Sequence, residues 1–254
     1  MSTIKEEDSS WIDEYQTSEL KEDFGFKYEE EIPLSYNFSS HKVETLSDHI
    51  SAEIFENYDK TQIKVVDLFP NNRMGLTGFL IENCFSSDEC QLMIKAMETV
   101  GLDFKLSGNR HCFRKSIMDE KLSEILFERS RDFLPQSYKV SGIDRPLQGL
   151  NPMIRYIKYL HKKFGHKFGP HVDAANHSNN CKSFFTFMVY LNDDFEGGET
   201  VFLEKGFQAR IKPKTGTVCV FEQDVRQLLH EGLEVEGDEN CKKYILRSDV
   251  MYRP

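Results

Sequence analysis

From Pro152 onward the chain breaks into six short stretches rich in β-branched and aromatic residues: Met153–Leu160, Phe184–Leu191, Thr200–Leu203, Gln208–Pro213, Thr217–Glu222 and Lys243–Tyr252. Gly-rich, Asn-Asp or charged runs part them. Stretches this short, each closed by turn residues, read as strands and constrain the second half of the chain to an antiparallel β architecture. Two further candidates, Ile63–Phe69 and Gly78–Asn83, lie upstream. Between the two groups the period changes. Ser86-Ser-Asp-Glu89 is a helix start with acidic residues in its first turn, Cys90, Ile94, Met97 and Val100 form an apolar stripe, and Gly101 is a stop. A second helix is expected over about 119–133, with Pro135 just beyond. Helices ahead of a strand-rich half predict an α+β, mainly β fold: a barrel or jelly roll carrying the helices on its outside.

Charge divides the chain differently. Residues 1–60 hold 16 acidic against 5 basic side chains, and the remainder 26 against 27. Residues 1–60 are therefore read as an acidic N-terminal extension with a short helix near Leu46–Tyr58, and 61–254 as the functional domain. A basic footprint over the whole chain is absent, so nucleic acid is not the expected partner. No apolar run approaches the roughly 18 residues that span a bilayer, and the opening MSTIKEEDSS has no apolar secretory segment. The six Cys contain no C-x-x-C pair. Reduced thiols in an intracellular protein, cytoplasmic or nuclear, are the expectation.

The chemistry is concentrated in His171-Val-Asp173. On a strand, residues two apart project from one face, so an imidazole and a carboxylate can converge on one ion. By itself the pair is common. With His230, which follows the strand candidate Thr217–Glu222, it makes two imidazoles and one carboxylate on strands able to face each other inside a barrel. That donor set suits a non-haem Fe(II) centre with positions left open for co-substrate and dioxygen. Zinc would favour a tetrahedral site with one open position. His166 and His177 read as surface histidines, His161-Lys-Lys as a solvated loop, and Gly197-Gly198 as a bend between strands.

The order of these residues resembles the prolyl 4-hydroxylase-like family of Fe(II)/2-oxoglutarate oxygenases. Arg155-Tyr-Ile-Lys-Tyr159, Gly165, Phe168 and His171-Val-Asp173 are similar to the family's approach to its iron. Tyr190-Leu-Asn…Gly197-Gly-Glu-Thr200, Pro213-Lys-Thr-Gly216, Leu229-His-Glu-Gly232 and Lys243-Tyr-Ile-Leu-Arg247-Ser-Asp249 continue the pattern over about 150–253, the expected catalytic core. Extra residues near His161–Lys163 and Asp238–Cys241 look like loop insertions. The resemblance implies a double-stranded β-helix (jelly-roll) core and an iron held by His171, Asp173 and His230. It also implies a last strand that binds the distal carboxylate of 2-oxoglutarate. Lys243 is favoured there by motif position and Arg247 by its bidentate fork. Tyr190 is the expected hydroxyl partner of that carboxylate, and Tyr159 is expected at the ketoacid end.

The implied reaction consumes Fe(II)-bound dioxygen and 2-oxoglutarate, with ascorbate as accessory reductant, and releases succinate and carbon dioxide as a substrate is hydroxylated. The expected substrate is a prolyl residue of an intracellular protein or peptide. The alternatives are the same chemistry on a nucleic-acid base or small molecule, and a non-catalytic jelly-roll binding module.

Overall fold

The computed structural model describes residues 44–55, 58–178 and 180–254. Two strands, β1 (Lys64–Asp67) and β2 (Gly78–Glu82), lead into helix α1 (Ser87–Val100). A hairpin of β3 (Asp103–Ser107) and β4 (Arg110–Met118), helix α2 (Glu120–Ser130) and a second hairpin of β5 (Ser137–Val140) and β6 (Ile143–Leu150) follow. The strand-rich half comprises β7 (Met153–Leu160), β8 (Lys167–His171), β9 (His177–Ser178), β10 (Cys181–Tyr190), β11 (Glu196–Gly197), β12 (Thr200–Phe202) and β13 (Ala209–Ile211). It ends with β14 (Val218–Glu222), β15 (His230–Gly232), β16 (Val235–Glu236) and β17 (Lys242–Tyr252).

Helix α1 begins and ends where its residues dictate. The Ser86 side chain accepts from Glu89 N, Glu89 returns the bond to Ser86 N at 2.6 Å, and Gly101 takes the positive φ of 74° that closes the last turn. Along β10, β14, β7 and β17 the two-residue period separates two cores. Phe185, Phe187, Val189, Val218, Val220, Tyr156, Tyr244 and Leu246 face α1 and α2 in the larger cluster. Tyr190, Cys219, Phe221, Ile157, Tyr159 and Ile245 point the other way, into a second cluster with Phe202, Ile211 and Val235. One long antiparallel sheet runs β1-β2-β14-β10-β17-β7-β4-β8-β15-β12-β13 and curls so that its far strands close over this second cluster. The architecture is the mainly β, helix-backed double-stranded β-helix expected from the sequence.

Three expectations need correction or completion. The hairpins β3–β4 and β5–β6 were not legible as strands, because β3 is exposed throughout and β4 carries Arg, His and Lys among its apolar positions. Strand β8 ends at His171, so Asp173 lies two residues past the strand and not within it. Of the acidic extension, residues 1–43 lie outside the described residues. In 44–60 the expected helix is instead two 3₁₀ turns, Leu46–Asp48 and Ala52–Phe55, and Leu46 and Ile50 are buried in the larger core. Packed chain therefore begins well before residue 61.

Candidate functional site

Antiparallel pairing of β8 and β15 sets His171 opposite His230. Their ring centroids are 4.2 Å apart, and the chain beyond β8 turns Asp173 back between them. Nε2 of His171 is 3.5 Å from Asp173 Oδ1, and Nε2 of His230 is 3.8 Å from Oδ2. The possible ligand atoms of the three all lie within 4.8 Å of one another. Each imidazole is fixed from behind. His171 Nδ1 is 2.9 Å from the carbonyl of Gly169, and His230 Nδ1 is 2.8 Å from that of Leu228. A carbonyl can only accept, so Nδ1 donates in both rings and Nε2 presents its lone pair to the cluster. Phe168 stacks on His171 at 3.5 Å, while Phe202 and Phe221 pack around His230.

Electrostatics match this geometry. Burial pushes the His230 imidazole down to about 4, against the pull of Asp173, so it is neutral at physiological pH. Burial alone would raise Asp173, but Arg247 and both imidazoles hold its carboxyl well below the usual range. Arg247 Nη1 lies 2.7 Å from Asp173 Oδ1, and Thr186 donates to Oδ2 at 2.6 Å. Two imidazole nitrogens and one ionised carboxylate, converging from one side on an open cavity, are a donor set that fits Fe(II).

The same cavity extends from the triad to Lys243, lined on the way by Ile157, Tyr159, Met188, Thr200, Ile245 and Arg247. Residues 243, 245 and 247 of β17 share its inner face, as the strand period requires. Lys243 is 3% exposed. Its ammonium donates to the carbonyl of Gly198 at 2.6 Å and stands 5.8 Å and 5.6 Å from the ring centroids of Tyr159 and Tyr190. Burial draws it down to about 7, with Glu199 opposing. Gly198 takes φ 67°, and a Cβ there would come within 2.8 Å of Phe195 and 3.3 Å of the Lys243 stem. The Gly-Gly bend thus aims a carbonyl at the buried amine. Tyr159 lines the cavity, whereas Tyr190 stands behind Thr200 and donates to its hydroxyl at 2.8 Å.

One of the two expected surface histidines and the histidine of the expected solvated loop are otherwise placed. His166 is buried; its Nδ1 accepts from Leu160 N at 3.1 Å, and burial pushes it down to about 4. His161 is also buried and caps the turn Lys162–Phe164, while His177 is exposed. The two loop insertions meet each other: Lys162 pairs with Glu236 at 3.0 Å, and Lys163 with Glu239. Several site residues carried no role in the sequence reading. Asp249, fully buried, receives Arg155 at 2.9 Å, Gln223 at 2.8 Å and Asn176 at 3.0 Å, and Arg247 lies 3.7 Å away. Arg110 and Arg114 of β4 also line the cavity. Asp249 and Arg155 share the inner-face parity of Arg247 and Tyr159, which could have flagged them. Nothing in the sequence announced β4.

Residues 154–248 match the family described as the 2OG-Fe(II) oxygenase superfamily. Comparison with curated proteins gives no match. Among solved structures, the chain is similar to the viral collagen prolyl hydroxylase of Paramecium Bursaria Chlorella virus-1 in its 2OG complex. That likeness has a TM-score of 0.52 at 22% identity, over 68% of this chain and 95% of that one. A prolyl hydroxylase from Trichoplax adhaerens, in complex with a hypoxia inducible factor oxygen degradation domain peptide fragment, aligns with a TM-score of 0.48 at 16% identity, over 75% of this chain and 84% of that one. For a Pseudomonas putida prolyl-4-hydroxylase the values are 0.47 and 14%, over 71% and 95%. At these identities the likeness to the viral structure is one of fold.

Proposed function

We propose, from the premise that residues 154–248 form a 2OG-Fe(II) oxygenase core, that this chain hydroxylates a prolyl residue of a protein or peptide. One observation carries the oxygenase part. A His-Asp-His set and a buried lysine with no carboxylate at ion-pair distance among the described residues occupy the two ends of one cavity. A buried cation without a counter-charge is costly, and a dicarboxylate reaching from the metal to Lys243 would remove that cost.

In this reading His171, Asp173 and His230 hold Fe(II), which when bound supplies the activation of dioxygen coupled to oxidation of 2-oxoglutarate. Lys243 anchors the distal carboxylate of the co-substrate. Tyr159 walls the cavity, and Tyr190 with Thr200 fixes the hydroxyl beside it. Arg247, joined to Asp173, orients the carboxylate ligand and keeps it ionised, so that of the two cations left open by the sequence Lys243 takes the anchor and Arg247 the positioning role. Phe168, Phe202 and Phe221 exclude water around the imidazoles. Ascorbate serves as the accessory reductant.

The prolyl assignment draws on the Tyr-Leu-Asn…Gly-Gly-Glu-Thr and His-Glu-Gly stretches and on the fold shared with a viral collagen prolyl hydroxylase. Its test is a succinate-release assay with Fe(II), 2-oxoglutarate and ascorbate over proline-containing peptides, free amino acids and methylated oligonucleotides, with mass spectrometry for one added oxygen atom. Coupled turnover with the peptides, and the added oxygen on proline, is expected. Turnover confined to oligonucleotides or amino acids would overturn the prolyl assignment and leave the oxygenase chemistry standing.

A further inference from the structure

The cavity holds more positive charge than iron and 2-oxoglutarate chemistry accounts for. Five cationic side chains line it: Arg110, Arg114, Arg155, Lys243 and Arg247. Facing them are Asp173, paired with Arg247 at 2.7 Å, and Asp249, paired with Arg155 at 2.9 Å. The two charges of Fe(II) and the two of 2-oxoglutarate cancel. The five cations against these two carboxylates would therefore leave the loaded cavity a net positive charge of about three.

Arg110 and Arg114 are the lining cations that face neither a carboxylate partner among the described residues nor the co-substrate. Neither guanidinium makes an ion pair or side-chain hydrogen bond among the described residues, and the Nε of each is buried without an acceptor. They are i and i+4 on β4 and share its inner face with the buried Cys112. Pairing of β4 with β7 and β8 sets Arg114 opposite Ile157 and Arg110 opposite Phe168, both lining residues. The Arg110 guanidinium lies 3.7 Å from the centroid of the Phe168 ring that stacks on His171. It is thus held within one aromatic ring of the metal cluster. Burial lowers the pKa of both arginines, and for Arg114 the next contributions are repulsion from Arg110, Arg155 and Arg247. Guanidiniums crowded together, each with a buried Nε that has no acceptor, carry a cost that an anion would relieve. Their planar forks match carboxylate or phosphate oxygens. Strand β4 also lies outside residues 154–248, so these two arginines are additions to the core that the family match covers.

We propose that Arg110 and Arg114 receive an oxyanion carried by the substrate, a carboxylate or phosphate next to the residue that is hydroxylated. The preferred substrate is then an acidic peptide. The inference rests on the oxygenase reading of the same cavity.

The experiment compares three proline peptides that differ only in the neighbour of the proline, Glu, phosphoserine or Gln. Each is titrated anaerobically into the Fe(II)- and 2-oxoglutarate-loaded protein and then assayed for succinate release. Wild-type protein should prefer the Glu or the phosphoserine peptide over Gln by about 10-fold or more, the span of one charge-assisted bond. Whichever of the two binds more tightly identifies the anion. In Arg110→Gln/Arg114→Gln the preference should collapse to about 2-fold or less, while iron and 2-oxoglutarate still bind as in wild type. Equal binding of all three peptides, or binding of none, overturns the anion site, as does a double variant that loses 2-oxoglutarate affinity but keeps the preference. Failure of the wild-type protein to bind Fe(II) and 2-oxoglutarate would instead sink the oxygenase reading beneath it.

Discussion

Lys243 is buried on a backbone carbonyl with its pKa drawn down to about 7, and that position has a consequence for pH. Only the ammonium form attracts a dicarboxylate. Below about 7 the free protein already holds the proton; above it, 2-oxoglutarate must bind together with a proton from solvent. Apparent affinity should therefore fall as pH rises through roughly 7 to 9, by up to about tenfold per unit. Anaerobic titration of the Fe(II)-loaded protein across that range measures it. Lys243→Met should flatten the dependence and raise the apparent KM for 2-oxoglutarate by about 10–100-fold. Arg247→Met should act chiefly on iron, because Arg247 bears on Asp173. A pH-independent affinity in wild type, or a larger KM effect at Arg247, would transfer the anchor to Arg247. The sequence offered Lys243 by motif position and Arg247 by its fork, but it could not rank them. In the proposed reading they differ by the carboxylate beside one and the carbonyl beside the other, contacts made across 74 and 45 residues of chain.

Helices α1 and α2 are joined by a buried ion pair, Arg129 Nη2 to Glu89 Oε1 at 2.7 Å, with both side chains no more than 4% exposed. Glu89 also closes the capping box of α1, and Arg129 donates to the carbonyls of Cys84 and Phe55. Removing one partner leaves a buried charge. Arg129→Met should cost about 3–5 kcal/mol, read from urea unfolding, and Glu89→Gln/Arg129→Met should recover part of that loss. A double variant no more stable than the single would show that the capping and carbonyl bonds, not the unpaired charge, dominate. Helix α1 was legible from Ser86 to Gly101 because its start, stripe and stop are local signals. The hairpin β3–β4 was not, because β3 is exposed throughout and the place of β4 in the sheet is set by main-chain bonds to β7 and β8. With β4 hidden, Arg110 and Arg114 were hidden as well.

Across the whole molecule, the sheet does two jobs with one alternation. Even-numbered residues of β17 such as Tyr244 and Leu246 pack toward the helices, and odd-numbered ones build the cavity. Parity along strands was readable, and so were the His-x-Asp pair and its distant histidine. Closure of the sheet was not, since His171 meets His230 only when β8 and β15 pair. Among the described residues no helix is long and apolar enough to cross a membrane. The central claim is that one cavity joins an iron triad to a 2-oxoglutarate anchor, and the most direct measurement is succinate formed from 2-oxoglutarate by the anaerobically Fe(II)-loaded protein on admission of oxygen, wild type beside Asp173→Ala. Iron-dependent succinate from wild type and none from the variant is the predicted result. Succinate at equal rates from both, or none from a wild-type protein shown to hold iron, would contradict it.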